Sequence, residues 1–154
     1  HKAGIAVILD VVYNHFGPSD LDLWQFDGAS DNDKGGIYFY QDERSSTPWG
    51  DTRPDYGRKE VRQYIRDNVM LWLTEYRMDG LRFDMTLYIR SIGGNGGDNI
   101  PEGWSLLQWV NEEIRTIITA LGTTASAATL VRRSVNDGAP RSSNTQITPS
   151  IASE

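Results

Sequence analysis

The residues best suited to do chemistry lie in the octapeptide Asp79-Gly80-Leu81-Arg82-Phe83-Asp84-Met85-Thr86. Residues two apart on a strand share a face, so Arg82 and Asp84 should project together while Leu81, Phe83 and Met85 pack on the other side. A guanidinium beside a carboxylate keeps it ionised and fixes its direction, which a carboxylate nucleophile or charge stabiliser needs at neutral pH. The same pair also suits an ordinary structural ion pair, with Asp84 capping the turn that follows. A second polar group, Asp10, Asn14 and His15, comes at the end of the apolar run Ile5–Val12, just before Gly17-Pro18 breaks the chain. Taken alone, His15 reads equally as a loop histidine with its hydrogen bonds satisfied, and Asp10 as a buried acid bonded to backbone amides.

The elements that must hold these groups follow from periodicity. Ile5–Val12 is almost uninterruptedly apolar, the pattern of a parallel strand buried on both faces, so its C-terminal end carries Asp10, Asn14 and His15. In α/β folds that end is where ligands bind. From Ser19 to Tyr56 no helical period lasts beyond a turn, and a loop of that length is functional or carries a small substructure of its own. Its aromatics Trp24, Phe26, Tyr38, Phe39, Tyr40, Trp49 and Tyr56 suit stacking on sugar rings, and most of them are expected to form the loop's own small core. Arg58–Tyr76 is expected to be a helix with Val61, Tyr64, Ile65, Val69, Trp72, Leu73 and Tyr76 on its buried stripe. The Arg82–Asp84 strand follows at once, so strand, connection, helix and strand make a parallel crossover. Beyond it lies a loop with Gly93-Gly94-Asn95-Gly96-Gly97, which lacks the spacing of a phosphate-binding loop. Pro101-Glu102 then opens a second helix with Leu107, Val110, Ile114, Ile117, Ile118 and Leu121 buried, and Gly122 is placed to stop it.

Bulk properties narrow the partners. The chain has 154 residues and a formal net charge of -6, so it offers no basic surface for nucleic acid or an acidic membrane. It has no cysteine, which excludes disulfides, thiolate catalysis and cysteine-ligated zinc. No apolar run approaches the ~20 residues of a membrane span, and a cytoplasmic location is expected. His1-Lys2-Ala3-Gly4 reads as the frayed end of a helix stopped by glycine, as though the chain began inside a fold. After Gly122 the aromatics cease and Ser, Thr and Ala dominate; Ala128–Val131 could begin a third strand, and the remainder has the composition of a disordered tail.

Together, Asp10-Val11-Val12-Tyr13-Asn14-His15 and Gly80-Leu81-Arg82-Phe83-Asp84 resemble, in order, separation and letters, two signatures of the alpha-amylase family of glycoside hydrolases. Tyr38-Phe39-Tyr40, Thr47-Pro48-Trp49-Gly50-Asp51 and the run from Glu60 to Gly80 look closest to the glycogen branching enzyme and maltooligosyltrehalose trehalohydrolase side of that family. The resemblance covers about residues 1–121, which it implies are a partial (β/α)8 barrel. Residues 122–154 are then a poorly ordered or non-homologous tail. By motif match, Asp84 would be the catalytic nucleophile of a retaining enzyme acting on α-1,4-glucans or maltooligosaccharides, by hydrolysis or transfer. Arg82, His15 and Asp10 would bind substrate: Arg82 orienting Asp84, His15 touching the reacting sugar, Asp10 holding the network. Asn14 sits where family amylases bind calcium, but the intervening loop looks like the branching-enzyme group, so no metal and no cofactor is implied.

Such an enzyme also needs a glutamate acid/base on the next barrel strand and a His-Asp pair two strands later. Glu102, Glu112 and Glu113 fall in the second predicted helix, Glu154 ends the chain, and Ala128–Asn136 contains Arg132-Arg133 but no glutamate. A barrel takes roughly 250 residues, so the chain is expected to hold part of one and to be inactive alone. A non-catalytic glucan-binding protein derived from the same fold is the alternative.

Overall fold

A computed structural model describes residues 1–17, 23–28, 30, 33–97, 99–120 and 130–131, with side chains omitted at 118–120 and 130–131. It is an α/β arrangement built on a parallel sheet. Strand β1 (Ile8–Val11) pairs with β2 (Gly80–Phe83), and β2 pairs on its other edge with β3 (Leu130–Val131), giving the order β1-β2-β3. Between the first two strands the chain runs through the long loop, a 3-10 turn at Glu43–Ser45 and helix α1 (Lys59–Thr74). After β2 come a one-turn helix α2 (Leu87–Arg90), a glycine-rich loop and helix α3 (Pro101–Ala120).

Helix α1 buries Val61, Ile65, Val69 and Met70, a stripe at i, i+4, i+8 and i+9. Two members of the expected stripe are elsewhere. Tyr64 is half exposed because it turns toward the long loop, meeting Phe16 edge-on at 6.0 Å. Tyr76 lies beyond the helix, whose C-cap is Glu75, and leans on Trp72 at 4.8 Å. Arg77, at φ 55, then turns the chain into β2. Helix α3 starts at a proline, where the missing N–H costs nothing. It buries Leu106, Leu107, Val110 and Ile114, and Ile117 is partly buried against the same core. Leu106 belongs to the core although the expected stripe omitted it. Ile118 has no described side chain, and Leu121 and Gly122 lie outside the described residues, as do all of 122–154 except Leu130 and Val131.

The sheet core is Val11, Tyr13, Leu81 and Phe83 against the two helices. β2 buries Leu81 and Phe83 on one face, while Arg82 on the other is partly exposed. β1 is not buried on both faces, contrary to expectation: Val11 is buried, but Ile8 and Val12 on the opposite face are 50% and 44% exposed, and Ile5 and Val7 ahead of the strand are exposed as well. The loop's aromatics do not form the separate small core expected of most of them: Tyr40 and Tyr56 belong to the main core and Tyr38 packs against it, while Phe26 and Trp49 are exposed. Phe39, Tyr40 and Tyr56 are fully buried, with Trp24 edge-on to Phe39 at 5.5 Å and Tyr40 edge-on to Tyr56 at 6.0 Å. Arg53, also fully buried, ties this loop to the segment after β2, its Nη2 donating to the Ile92 carbonyl at 2.8 Å.

The glycine-rich segment is a packing device. At Gly94, φ is +67, and a Cβ would stand 2.5 Å from the Tyr88 ring, so only glycine lets that ring lie flat against the backbone.

Candidate active site

Every candidate residue lies at the C-terminal end of β1 or β2. The register sets Asp10 beside Arg82 and Val11 beside Phe83, and the Asp84 N–H donates to the Val11 carbonyl at 2.9 Å, extending the ladder by one bond. Asp84 is therefore the last residue held by the sheet. Directly after it Met85 adopts φ +43, a left-handed conformation that costs a non-glycine residue about 1–2 kcal/mol. The strand is thus turned sharply at the candidate carboxylate, and its next residues enter α2.

Arg82 spans the two strands. Its Nη1 donates to Asp10 Oδ1 at 2.6 Å and its Nη2 to Asp84 Oδ1 at 3.0 Å. The guanidinium pKa is raised, most of all by the hydrogen bond to Asp10. One forked cation thereby fixes two carboxylates across a parallel ladder, a geometry a lysine would not reproduce. Asp84 is about 29% exposed at its side chain, so its second oxygen is within reach of a ligand.

His15 joins the group through Asn14, which is fully buried. Asn14 Nδ2 donates to the backbone carbonyl of Asp84 at 2.9 Å. With the amide N–H so engaged, Oδ1 is the acceptor for a short hydrogen bond from His15 Nδ1. That assignment leaves Nε2 of the neutral imidazole as a free lone pair. The His15 pKa is lowered, chiefly by burial and against the opposing pull of Asp84. Behind the site Tyr13 is buried; its hydroxyl donates to Asn68 Oδ1 at 2.8 Å, and burial raises its pKa far above the ordinary phenol range. Tyr56 donates to the Tyr13 carbonyl at 2.7 Å, bracing the β1 extension from the loop side.

Two residues of the site are absent from the set chosen by motif. Asn14, in the sequence a member of the polar group with Asp10 and His15 and a position where family amylases bind calcium, is the link between His15 and Asp84. Trp49, one of the seven loop aromatics, stacks on His15 at 4.7 Å between centroids and 9° between planes. Beside them Val12, Phe16, Leu23 and Tyr64, with His15 and Trp49, line an open groove of about 530 Å³. The glutamates of α3 lie apart from this cluster. Glu113 is paired with Arg66 of α1, Glu112 with Arg115 along the same helix, and Glu102 stands in the first turn near Gly57. Among the described residues no three His, Cys, Asp or Glu side chains converge as a metal site would require, and no helix is long and apolar enough to cross a membrane.

No family model matches the chain. It is 33% identical over 155 aligned residues to the 1,4-alpha-glucan branching enzyme of Oceanobacillus iheyensis, a match taking in 90% of this chain and 23% of the relative. It is 45% identical over 86 residues to the malto-oligosyltrehalose trehalohydrolase of Saccharolobus solfataricus, covering 54% of this chain and 13% of that protein. Among solved structures, one from Salmonella typhimurium assigned as an alpha amylase is similar with a TM-score of 0.51 and 30% identity, over 75% of this chain and 16% of the other. The chain spans about a fifth of the length of the curated branching enzymes it matches.

Proposed function

From a chain that belongs, as a partial sequence, to the alpha-amylase family of glycoside hydrolases, we propose that this segment supplies the nucleophile side of the active site in a retaining enzyme acting on α-1,4-glucans. The observation that carries the reading is the fork of Arg82 between Asp10 and Asp84 at the C-terminal ends of two adjacent parallel strands. In the (β/α)8 arrangement that the family implies, those ends face the substrate.

In this reading the free oxygen of Asp84 attacks the anomeric carbon while Arg82 holds the other. The carbon–oxygen bond to the leaving sugar breaks as the glycosyl–Asp84 ester forms, and water or a sugar hydroxyl later cleaves the ester and restores the carboxylate. Nε2 of His15 serves in this reading as a hydrogen-bonding group for the sugar. The proton needed by the leaving oxygen must come from an acid that the described residues do not supply at this site. General acid assistance is worth typically ~10²- to 10⁴-fold, so the 154-residue chain by itself is predicted to be inactive. Hydrolysis and transfer differ only in the attacking hydroxyl, and the subsites that select it lie outside this segment.

In the complete enzyme carrying this segment, Asp84→Asn should lower turnover of maltooligosaccharides by several orders of magnitude while the thermal unfolding midpoint stays near that of the parent. Near-normal turnover in the folded variant would refute the role. A glucan-binding protein without turnover is the second reading, favoured by the placing of Glu102, Glu112 and Glu113 on α3, away from Asp84. Glucan affinity in the complete protein without any bond cleavage would support it.

A further inference from the structure

We propose that Trp49 is a positioning residue for His15, acting through the face of the imidazole; this rests on the reading of His15 as a substrate-binding group given above. The two rings are nearly parallel at 4.7 Å, and Trp49 also meets Tyr88 edge-on at 5.5 Å and 78°. Both Trp49 and Tyr88 are held in place. Trp49 sits in a turn closed by Thr47 N–H to Gly50 O at 3.0 Å and Gly50 N–H to Thr47 O at 3.1 Å, with the Thr47 hydroxyl oxygen accepting the Trp49 N–H at 3.2 Å. The turn is docked on the β1 extension by Phe16 N–H to Thr52 O at 2.9 Å. Tyr88 lies on α2, four residues beyond Asp84, with its ring against Gly94.

His15 is therefore held on two sides of different kinds. Asn14 fixes the Nδ1 edge, and the indole fixes the ring plane, so that Nε2 keeps one direction. An in-plane hydrogen bond alone leaves the ring free to roll about it; a stacked aromatic removes that freedom and also excludes water from one face. Trp49 is 43% exposed, more than its purely structural neighbours Phe39, Tyr40 and Tyr56, which puts it at the edge of the site and not in the loop's core. Its removal should admit water to the imidazole. Of the groups about His15, Asp84 at the end of β2 carries the charge that acts on it, Arg82 being engaged by its two carboxylates, while Asn14 and Trp49 carry no charge and Tyr64 of α1 lines the same groove. With burial relieved and Asp84 still present, the His15 pKa must rise.

The test uses the complete enzyme carrying this segment, labelled with ¹³C at histidine Cε1, the His15 signal being assigned by its loss in His15→Gln. Trp49→Ala should move the His15 titration midpoint upward, shift the acid limb of kcat/KM for maltooligosaccharides the same way, and lower kcat/KM at pH 7 by roughly tenfold, the size of an aromatic pair. Trp49→Phe should restore most of each. An unmoved His15 midpoint with only a lower unfolding temperature overturns the proposal. A shifted midpoint with unchanged kinetics supports the positioning by Trp49 and overturns instead the role of His15 in the reaction.

Discussion

At the scale of single residues, Asn14 has the largest structural consequence for its size. Both of its amide groups are used, one on the Asp84 carbonyl and one on the His15 ring, and neither has access to water. Asn14→Leu keeps the branched outline, with some overpacking, but leaves two partly buried partners without their hydrogen bonds, at up to about 1–3 kcal/mol for each such group. Denaturant unfolding should show a loss of that order, and glucan turnover by the complete enzyme proposed above should fall with it. His15 gives a pH signature of its own. Its pKa is lowered in the folded protein, so the unfolded chain binds the proton more readily. The stability that follows from this is present above the ordinary histidine value of about 6.5 and is lost as the pH falls through it. His15→Gln should therefore flatten the stability profile between about pH 7 and 5; an unchanged slope would mean that His15 is not buried in its neutral form.

At the scale of elements, the tightest contact is between α3 and the chain after β2. A Cβ on Gly103 would stand 1.8 Å from the Ile89 carbonyl oxygen, a backbone atom that cannot step aside without moving α2. Gly103→Ala should cost about 1–3 kcal/mol or more, although alanine is the better helix former, and calorimetry on the complete protein would read it as a lower midpoint. Much of this level was legible in the sequence. The period of two placed Arg82 with Asp84, and the 3.6-residue period found both long helices. What escaped were features set by contacts far apart in the chain. The pairing of Asp10 with Arg82 depends on strand register, which no local pattern encodes. Trp49 is set apart from six other loop aromatics only by its ring contacts with His15 and Tyr88, residues distant in the chain. The single turn of α2 is too short for periodicity, and Tyr64 left the expected stripe because Phe16, 48 positions earlier, offered it another partner.

At the scale of the whole molecule, the exposed apolar side of β1 and the placing of the candidate groups belong together. Ile8 and Val12 on one face of β1, and Ile5 and Val7 ahead of it, present apolar surface that, in the proposed barrel, neighbouring strands and helices would cover. The same neighbours would bring the missing acid toward Asp84. The central claim is that Asp84 forms the covalent bond to sugar, and it is tested most directly by trapping that bond. The complete enzyme would be treated with a slowly turned-over maltosyl fluoride, digested at low pH and read by peptide mass spectrometry. The predicted result is a single glycosyl adduct on the Asp84 carboxylate, absent from Asp84→Asn. A stable adduct on a different carboxylate, in an enzyme that cleaves α-1,4-glucans, would contradict it.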